Sequence, residues 1–257
     1  MGEKFNKVIN RLMFRRALTR WRRAAEAAGT ADLSRLRPLR TDARQLRREI
    51  DRFLHVADGR LTRPAIGSTG IRKPMLSDWA WRPEIWRGPI SPAGLAAVEN
   101  RTPFGAEATV FHDCGSSELT LRQIRNGRAS DLAPFGLRMD VFRFDGSFLS
   151  LVIDLPADGL QGLRLSHVIR LDAAVEMERP LEIFARLNIK HGPNSEQIVR
   201  ELSLGSDETM VEFDLGYTKM NEKRVERAWI DLIFEGPEMN QIVLRDVTVS
   251  RRPRAEL

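Results

Sequence analysis

The chain has 257 residues, 42% of them hydrophobic, with a mean hydropathy of −0.33 and no run near the ~18 apolar residues of a membrane-spanning helix. Its formal charge of +6 is concentrated, because residues 1–63 hold 17 Lys/Arg against 7 Asp/Glu and the remainder holds 24 against 28. The lone Cys114 excludes an intramolecular disulfide, and Lys7, Arg11, Arg15 and Arg16 interrupt any apolar core of a secretory signal, so a cytoplasmic protein, or one peripheral to the inner membrane face, is expected.

The span Lys4 to Ala28 predicts a helix, since it has no proline, no internal glycine and many strong formers, with Gly29 as its stop. Phe5, Val8, Ile9 and Leu12 share one of its faces, and Phe14, Leu18, Trp21 and Ala25 lie roughly opposite. A second helix is expected from Leu36 to Ala57, with Pro38 in its first turn. Leu36, Leu39, Ala43, Leu46, Ile50, Phe53 and Ala57 alternate three and four apart, the spacing of a short coiled-coil seam. Residues 1–58 thus read as a basic helical arm. Three uses fit it: an αα-hairpin whose seam packs internally, a homodimer seam, or a cationic surface for an anionic membrane or an acidic protein. Nucleic acid is the weaker partner, because no helix-turn-helix, zinc spacing or RNA-recognition aromatics accompany the charge.

Residues 59–105 are rich in Pro and Gly and predict a connector without long helices, packed on the domain that follows. Three of the five tryptophans, Trp79, Trp81 and Trp86, fall within eight residues of it. They either cover a sheet or form a platform for a sugar ring, with Arg82 or Arg87 adding cation–π contacts.

From 106 to 252 strand-like runs recur at regular spacing: 108–112, 119–125, 137–144, 148–155, 168–177, 181–189, 197–202, 210–215, 229–234 and 242–249, with 253–257 as a tail. Asp145-Gly146 between two apolar runs predicts a two-residue hairpin with φ > 0 at Gly146 and Phe142 facing Leu149, the feature around which the domain is organised. Phe142, Phe144, Phe148, Leu149, Leu151 and Ile153 are the first core candidates. Ile169 to Met177 and Ile183 to Ile189 alternate apolar-in, polar-out, as strands with one wet face do. Together these features predict a mainly β fold, an antiparallel jelly-roll-type β-sandwich preceded by a basic two-helix N-terminal arm.

The closing pattern Trp229-Ile-Asp-Leu-Ile-Phe-Glu-Gly-Pro-Glu-Met-Asn-Gln-Ile-Val-Leu-Arg-Asp-Val-Thr-Val-Ser250 resembles the last two strands of galactose-binding-like jelly rolls, the fold of many carbohydrate-binding modules. The whole chain is similar to a bacterial family of unknown function through His55–Leu61, Trp79–Pro89, Phe142–Pro156, Ala185–Asn194 and Glu222–Leu257, which implies no role. The jelly-roll resemblance places Asp246 where a structural calcium is held, with Glu99 or Glu107 as partners, although calcium wants 6–8 oxygens. It puts ligands on a sheet face or in end loops. A mixed polar face of Arg170, Asp172, Arg186, Asn188, Lys190, Glu212, Asp214 and Asp231 offers sugar hydroxyls both donors and acceptors. The loops carrying His191, Asn194 and Asn240 are the other candidates. Glu212 and Asp231 on neighbouring strands would be the carboxylates of a glycosidase. No nucleophile, zinc or P-loop motif is present. The sequence therefore favours a non-catalytic module for a glycan or related polar ligand, its basic helices at an anionic membrane surface. The alternative is a scaffold that oligomerises or docks through the arm.

Overall fold

The computed structural model describes residues 2–65, 71, 73–128, 130–204 and 208–254, with side chains for all of these except 2–12, 55–56 and 58–65. Phe5, Val8, Ile9 and Leu12 therefore lie outside the described side chains, and Gly67 and Gly70 outside the described residues. The chain divides into two compact units, Met1–His55 and Val56–Leu257.

The first unit holds α1 (Gly2–Ala27) and most of α2 (Leu33–Ala65). The carbonyl of Asp32 accepts the N–H groups of Arg35 and Leu36 at 3.0 Å, so α2 starts earlier than Leu36. Pro38 then sits in the second turn rather than the first, where the missing N–H forfeits one helical bond. The helix also continues through Gly59 and Pro64, so 59–65 is helical rather than connector. Trp21 and Ala24 of α1 and Leu36, Leu39 and Ala43 of α2 are half-buried near the turn. Farther out the apolar side chains are uncovered: Met13, Phe14 and Leu18 on α1, and Leu46, Ile50, Phe53 and Leu54 on α2. Of the expected seam, Leu36, Leu39, Ala43 and Ala57 are half-buried and Leu46, Ile50 and Phe53 are exposed.

The second unit is built from β1 (Trp79–Trp81), α3 (Glu84–Arg87), β2 (Gly94–Ala96), β3 (Thr102–Pro103), β4 (Ala108–His112), β5 (Leu119–Arg125), β6 (Phe135–Val141), β7 (Leu149–Asp154), α4 (Ala157–Leu160), β8 (His167–Met177), β9 (Ile183–His191), β10 (Asn194–Glu201), β11 (Glu208–Asp214), β12 (Val225–Phe234) and β13 (Asn240–Pro253). The first sheet runs β11-β8-β13-β6-β5-β2, with β1 also on β13; the second runs β10-β9-β12-β7-β4-β3. Every pairing is antiparallel. The result is a jelly-roll sandwich. The supposed connector supplies β1 and β2 to the first sheet and β3 to the second.

Alternation holds where it was read. Ile169, Leu171, Ala173 and Val175 of β8 and Ile183, Ala185, Leu187 and Ile189 of β9 are buried between the sheets. The organising hairpin does not exist. β6 pairs with β5 and β13 in the first sheet, while β7 pairs with β4 and β12 in the second. Residues 142–148 therefore cross from one sheet to the other. Phe142 and Phe148 are 50% and 41% exposed and Phe144 only half-buried, while Leu149, Leu151 and Ile153 are core. The crossing is pinned by Asp113, whose carboxylate accepts the Ser147 N–H at 2.7 Å, the Phe148 N–H at 3.2 Å and the Ser147 hydroxyl at 2.5 Å. The Ser147 hydroxyl bond holds the Asp113 carboxyl below its ordinary value. Gly146 is needed for close approach rather than for φ > 0: a Cβ there would lie 2.5 Å from Asp113 Oδ1 and 3.0 Å from the Cys114 nitrogen.

Candidate functional site

The expected polar face divides in two. Arg170, Asp172, Glu212 and Asp214 stand on β8 and β11 of the first sheet; Arg186, Asn188, Lys190 and Asp231 stand on β9 and β12 of the second. The turn after β8 changes sheets, so outward residues on its two sides point away from the sandwich in opposite directions. Glu212 and Asp231 are consequently no carboxylate pair. Glu212 accepts from Arg252 at 3.0 and 3.2 Å, and Asp231 from Arg186 and Asn188.

The outer face of the second sheet can be laid out from strand register, since residues two apart share a face. One row runs Phe184, Ile233, Ser150, Phe111; the next Val199, Arg186, Asp231, Val152, Thr109; the third Gln197, Asn188, Trp229, Asp154. Five strands at ~4.8 Å spacing make it about 19 Å wide. Asp231 and Asn188 are buried at its centre. The Arg186 Nε–H donates to Asp231 Oδ2 at 2.7 Å and Asn188 Nδ2–H to the same oxygen at 3.1 Å. Asp231 thus fixes the guanidinium of Arg186, whose side chain stays 37% exposed. Trp229, Phe184, Ile233, Val152 and Phe111 are each half-buried there. Arg227 lies 5.0 Å from the centre of the Trp229 ring and is held by Asp154 at 2.5 and 2.9 Å. The Ser150 hydroxyl is buried with no hydrogen-bond partner.

The remaining expected site residues are dispersed. Trp86 is fully buried and its Nε1–H donates to the Leu244 carbonyl at 2.8 Å, so it is core and no platform. Trp79 and Trp81 stack on each other with centroids 6.3 Å apart and pack against the core. A Cβ on Gly159 would meet the Trp79 ring at 2.5 Å. Arg82 and Arg87, expected over these rings, pair with Asp246 and Glu107. Lys190 is exposed and pairs with Glu226 at 3.1 Å. His191 is buried, its Nδ1 accepting the Asn221 N–H at 3.3 Å, and its Nε2 has no hydrogen-bond partner; Glu196 Oε1 stands 3.7 Å away. Asn194 is exposed at the start of β10, opposite His191. Asn240 is buried and clamps both backbone groups of Arg179, at 3.0 and 2.8 Å, which makes it a structural brace.

Asp246 does not fit a calcium ligand. Arg82 donates to both of its oxygens, at 2.8 and 2.7 Å, so a guanidinium already neutralises it. Burial pushes the Asp246 carboxyl above its ordinary value, with Arg82 pulling the other way. Glu107 accepts the Glu84 N–H at 3.0 Å and pairs with Arg87 at 3.5 Å. Among the described residues no three His, Cys, Asp or Glu side chains are grouped so that they could hold a metal ion. Asp246 also lines a cleft on the outer face of the first sheet, with Arg128, Asp131, Asp172, Glu176 and Arg245. Its volume is about 90 Å³. Arg245 takes both oxygens of Glu176, at 2.9 and 3.0 Å, and Arg128 shares that carboxylate.

Compared with families of known sequence, residues 1–257 match the model of a family of unknown function, DUF6478. The chain belongs to that family. No curated protein matches this family member. Among solved structures it is similar to the enzymatically active domain of tailspike protein 4 of bacteriophage CBA120 (8% identity, 56% of this chain and 19% of that one, TM-score 0.40). It therefore spans about a fifth of the length of that tailspike chain. It is also similar to the family 11 carbohydrate-binding module of Clostridium thermocellum in complex with a β-1,3-1,4-mixed-linked tetrasaccharide (12%, 65% and 100%, 0.39). A third is a xylan-binding domain from Paenibacillus barcinonensis (6%, 57% and 87%, 0.36).

The sequence reading had the polar half of the second-sheet face and missed its aromatic half. The signal was present: once Asp231 is placed outward, Trp229 and Ile233, two residues to either side, must share its face.

Proposed function

We propose that the sandwich is a non-catalytic binding module for a glycan, with the ligand on the outer face of β9, β12 and β7. One observation carries the reading: Trp229 stands half-exposed near Arg186, whose guanidinium is oriented by the carboxylate of Asp231, buried with Asn188 at the centre of the face. Aromatic and aliphatic side chains accept the C–H face of a sugar ring. Arg186, Arg227 and Gln197 offer its hydroxyls donors and acceptors. The face is broad enough for several sugar units in a row. A glycan array probed with the full chain tests this. Specific binding that Trp229→Ala abolishes and Trp79→Ala leaves intact supports it; binding unaffected by both Trp229→Ala and Arg186→Ala overturns it.

A second reading has its own observation. Leu46, Ile50 and Phe53 are exposed at coiled-coil spacing, as in a scaffold that joins copies through the arm. Sedimentation equilibrium decides it: a dimer that becomes monomeric on changing all three residues to Ser supports the scaffold, and a monomer at all concentrations sinks it.

A further inference from the structure

We propose that α1 binds the surface of an anionic membrane through residues 13–25, lying along the interface. The inference concerns the arm alone and does not depend on what the sandwich binds. At 100° per residue Met13, Phe14, Leu18 and Trp21 fall within one arc of about 140°, and the arginines fill the rest of the circumference. Met13, Phe14 and Leu18 are 60%, 66% and 48% exposed and Trp21 is half-buried, so the helical hairpin leaves most of this stripe uncovered. Between Met13 and Ala25 there are five arginines and no acidic residue.

Charge complementarity names the occupant. Arg15 and Arg22 border the stripe on one side and Arg20 on the other, where long side chains reach headgroup phosphates while the apolar face sinks between the lipids. The guanidinium of Arg20 already leans over Trp21, at 5.7 Å from its ring centre. The α2 helix is the poorer candidate. Its arginines are interspersed with Asp42, Glu49 and Asp51, and Arg47 pairs with Asp51 at 3.3 Å. Among the described residues no helix is long and apolar enough to cross a membrane, so the contact is a surface one.

The test is flotation of the full chain with vesicles of phosphatidylcholine alone and of equal parts phosphatidylcholine and phosphatidylglycerol, at low and high salt. Binding is expected only to the anionic vesicles, and to weaken in salt. At about fivefold per arginine, changing Arg15, Arg16, Arg20, Arg22 and Arg23 to Gln should cost more than about a hundredfold in partitioning. Phe14→Ser with Leu18→Ser should cost about tenfold or more. Circular dichroism checks that both variants keep their helices. Equal flotation with neutral vesicles, or anionic binding that survives the arginine variant, overturns the proposal. So does tighter binding to duplex DNA that ignores the Phe14 and Leu18 changes, which would make nucleic acid the partner.

Discussion

On the outer face of the first sheet the charges neutralise one another. Arg170 pairs with Asp172, Arg252 with Glu212, Arg245 with Glu176 and Arg82 with Asp246. On the second sheet the charged groups are also paired, Asp231 with Arg186 and Asn188 and Asp154 with Arg227, but they lie among Trp229, Phe184, Ile233, Val152 and Phe111. Both faces come from the same alternation along antiparallel strands. They differ in what occupies the outward positions. Ion pairs satisfy their own hydrogen-bonding needs and leave little for a ligand. Half-exposed rings beside an oriented guanidinium leave apolar surface and donors to be covered. The difference teaches that a sandwich advertises a binding face by what remains unsatisfied outside the core.

The largest expected effect tests how closed the first face is. Arg82→Ala would strand the Asp246 carboxylate, whose side chain is only 16% exposed, and should cost about 3–5 kcal/mol in urea denaturation. Asp231→Ala on the second face should cost less, about 1–3 kcal/mol, because Arg186 is exposed enough to take up water when its partner goes. Equal losses would mean that the two polar centres are equally closed, and the comparison would fail. Trp229→Ala should lower stability by only about 1–2 kcal/mol, since its ring is already half in water, while removing ligand binding. A larger loss of stability would make Trp229 a packing residue. Glu212→Gln on the first face should change stability by no more than about 1 kcal/mol, and high salt should erase the change.

The smallest effect separates both faces from β1, which ties the start of the sandwich to β13. Asp78 accepts from Arg251 at 3.0 Å through both oxygens. Burial raises its carboxyl, but the Arg251 bonds and charge outweigh that and hold it below its ordinary 3.8. His167, 3.9 Å from Asp78, is pushed below its ordinary 6.5 by burial. Both groups take up protons more readily when unfolded. Their contribution is therefore complete above 6.5 for His167 and above 3.8 for Asp78, and is lost as pH falls below each value. The urea midpoint should drop slightly on acidification from neutral pH, and His167→Gln should remove the first part of that drop. A midpoint that rises on acidification would contradict the assignment.

Much of this architecture was legible in residue order. The strand positions beyond residue 106, the inward sets on β8 and β9, and the basic helical arm follow from the period of apolar residues and from where glycine and proline interrupt it, whereas β1, β2 and β3 were hidden in the Pro/Gly-rich stretch before them. These are local properties, because a side chain's direction along a strand is set by its own backbone. Sheet membership was not legible. Asp145-Gly146 has the chemistry of a tight hairpin, yet the strands on either side of it join different sheets, since β7 finds β4 and β12 and β6 finds β5 and β13. Local turn chemistry permits a reversal of the chain, but distant strands competing for the same edges determine what each run pairs with. The site followed that choice. One polar face became two, Trp86 went into the core, Asp246 went to Arg82, and Trp229 came to stand beside Arg186 and Asn188. Residues far apart in the chain become neighbours only through that pairing, and so the tertiary structure alone decided which of them share a surface.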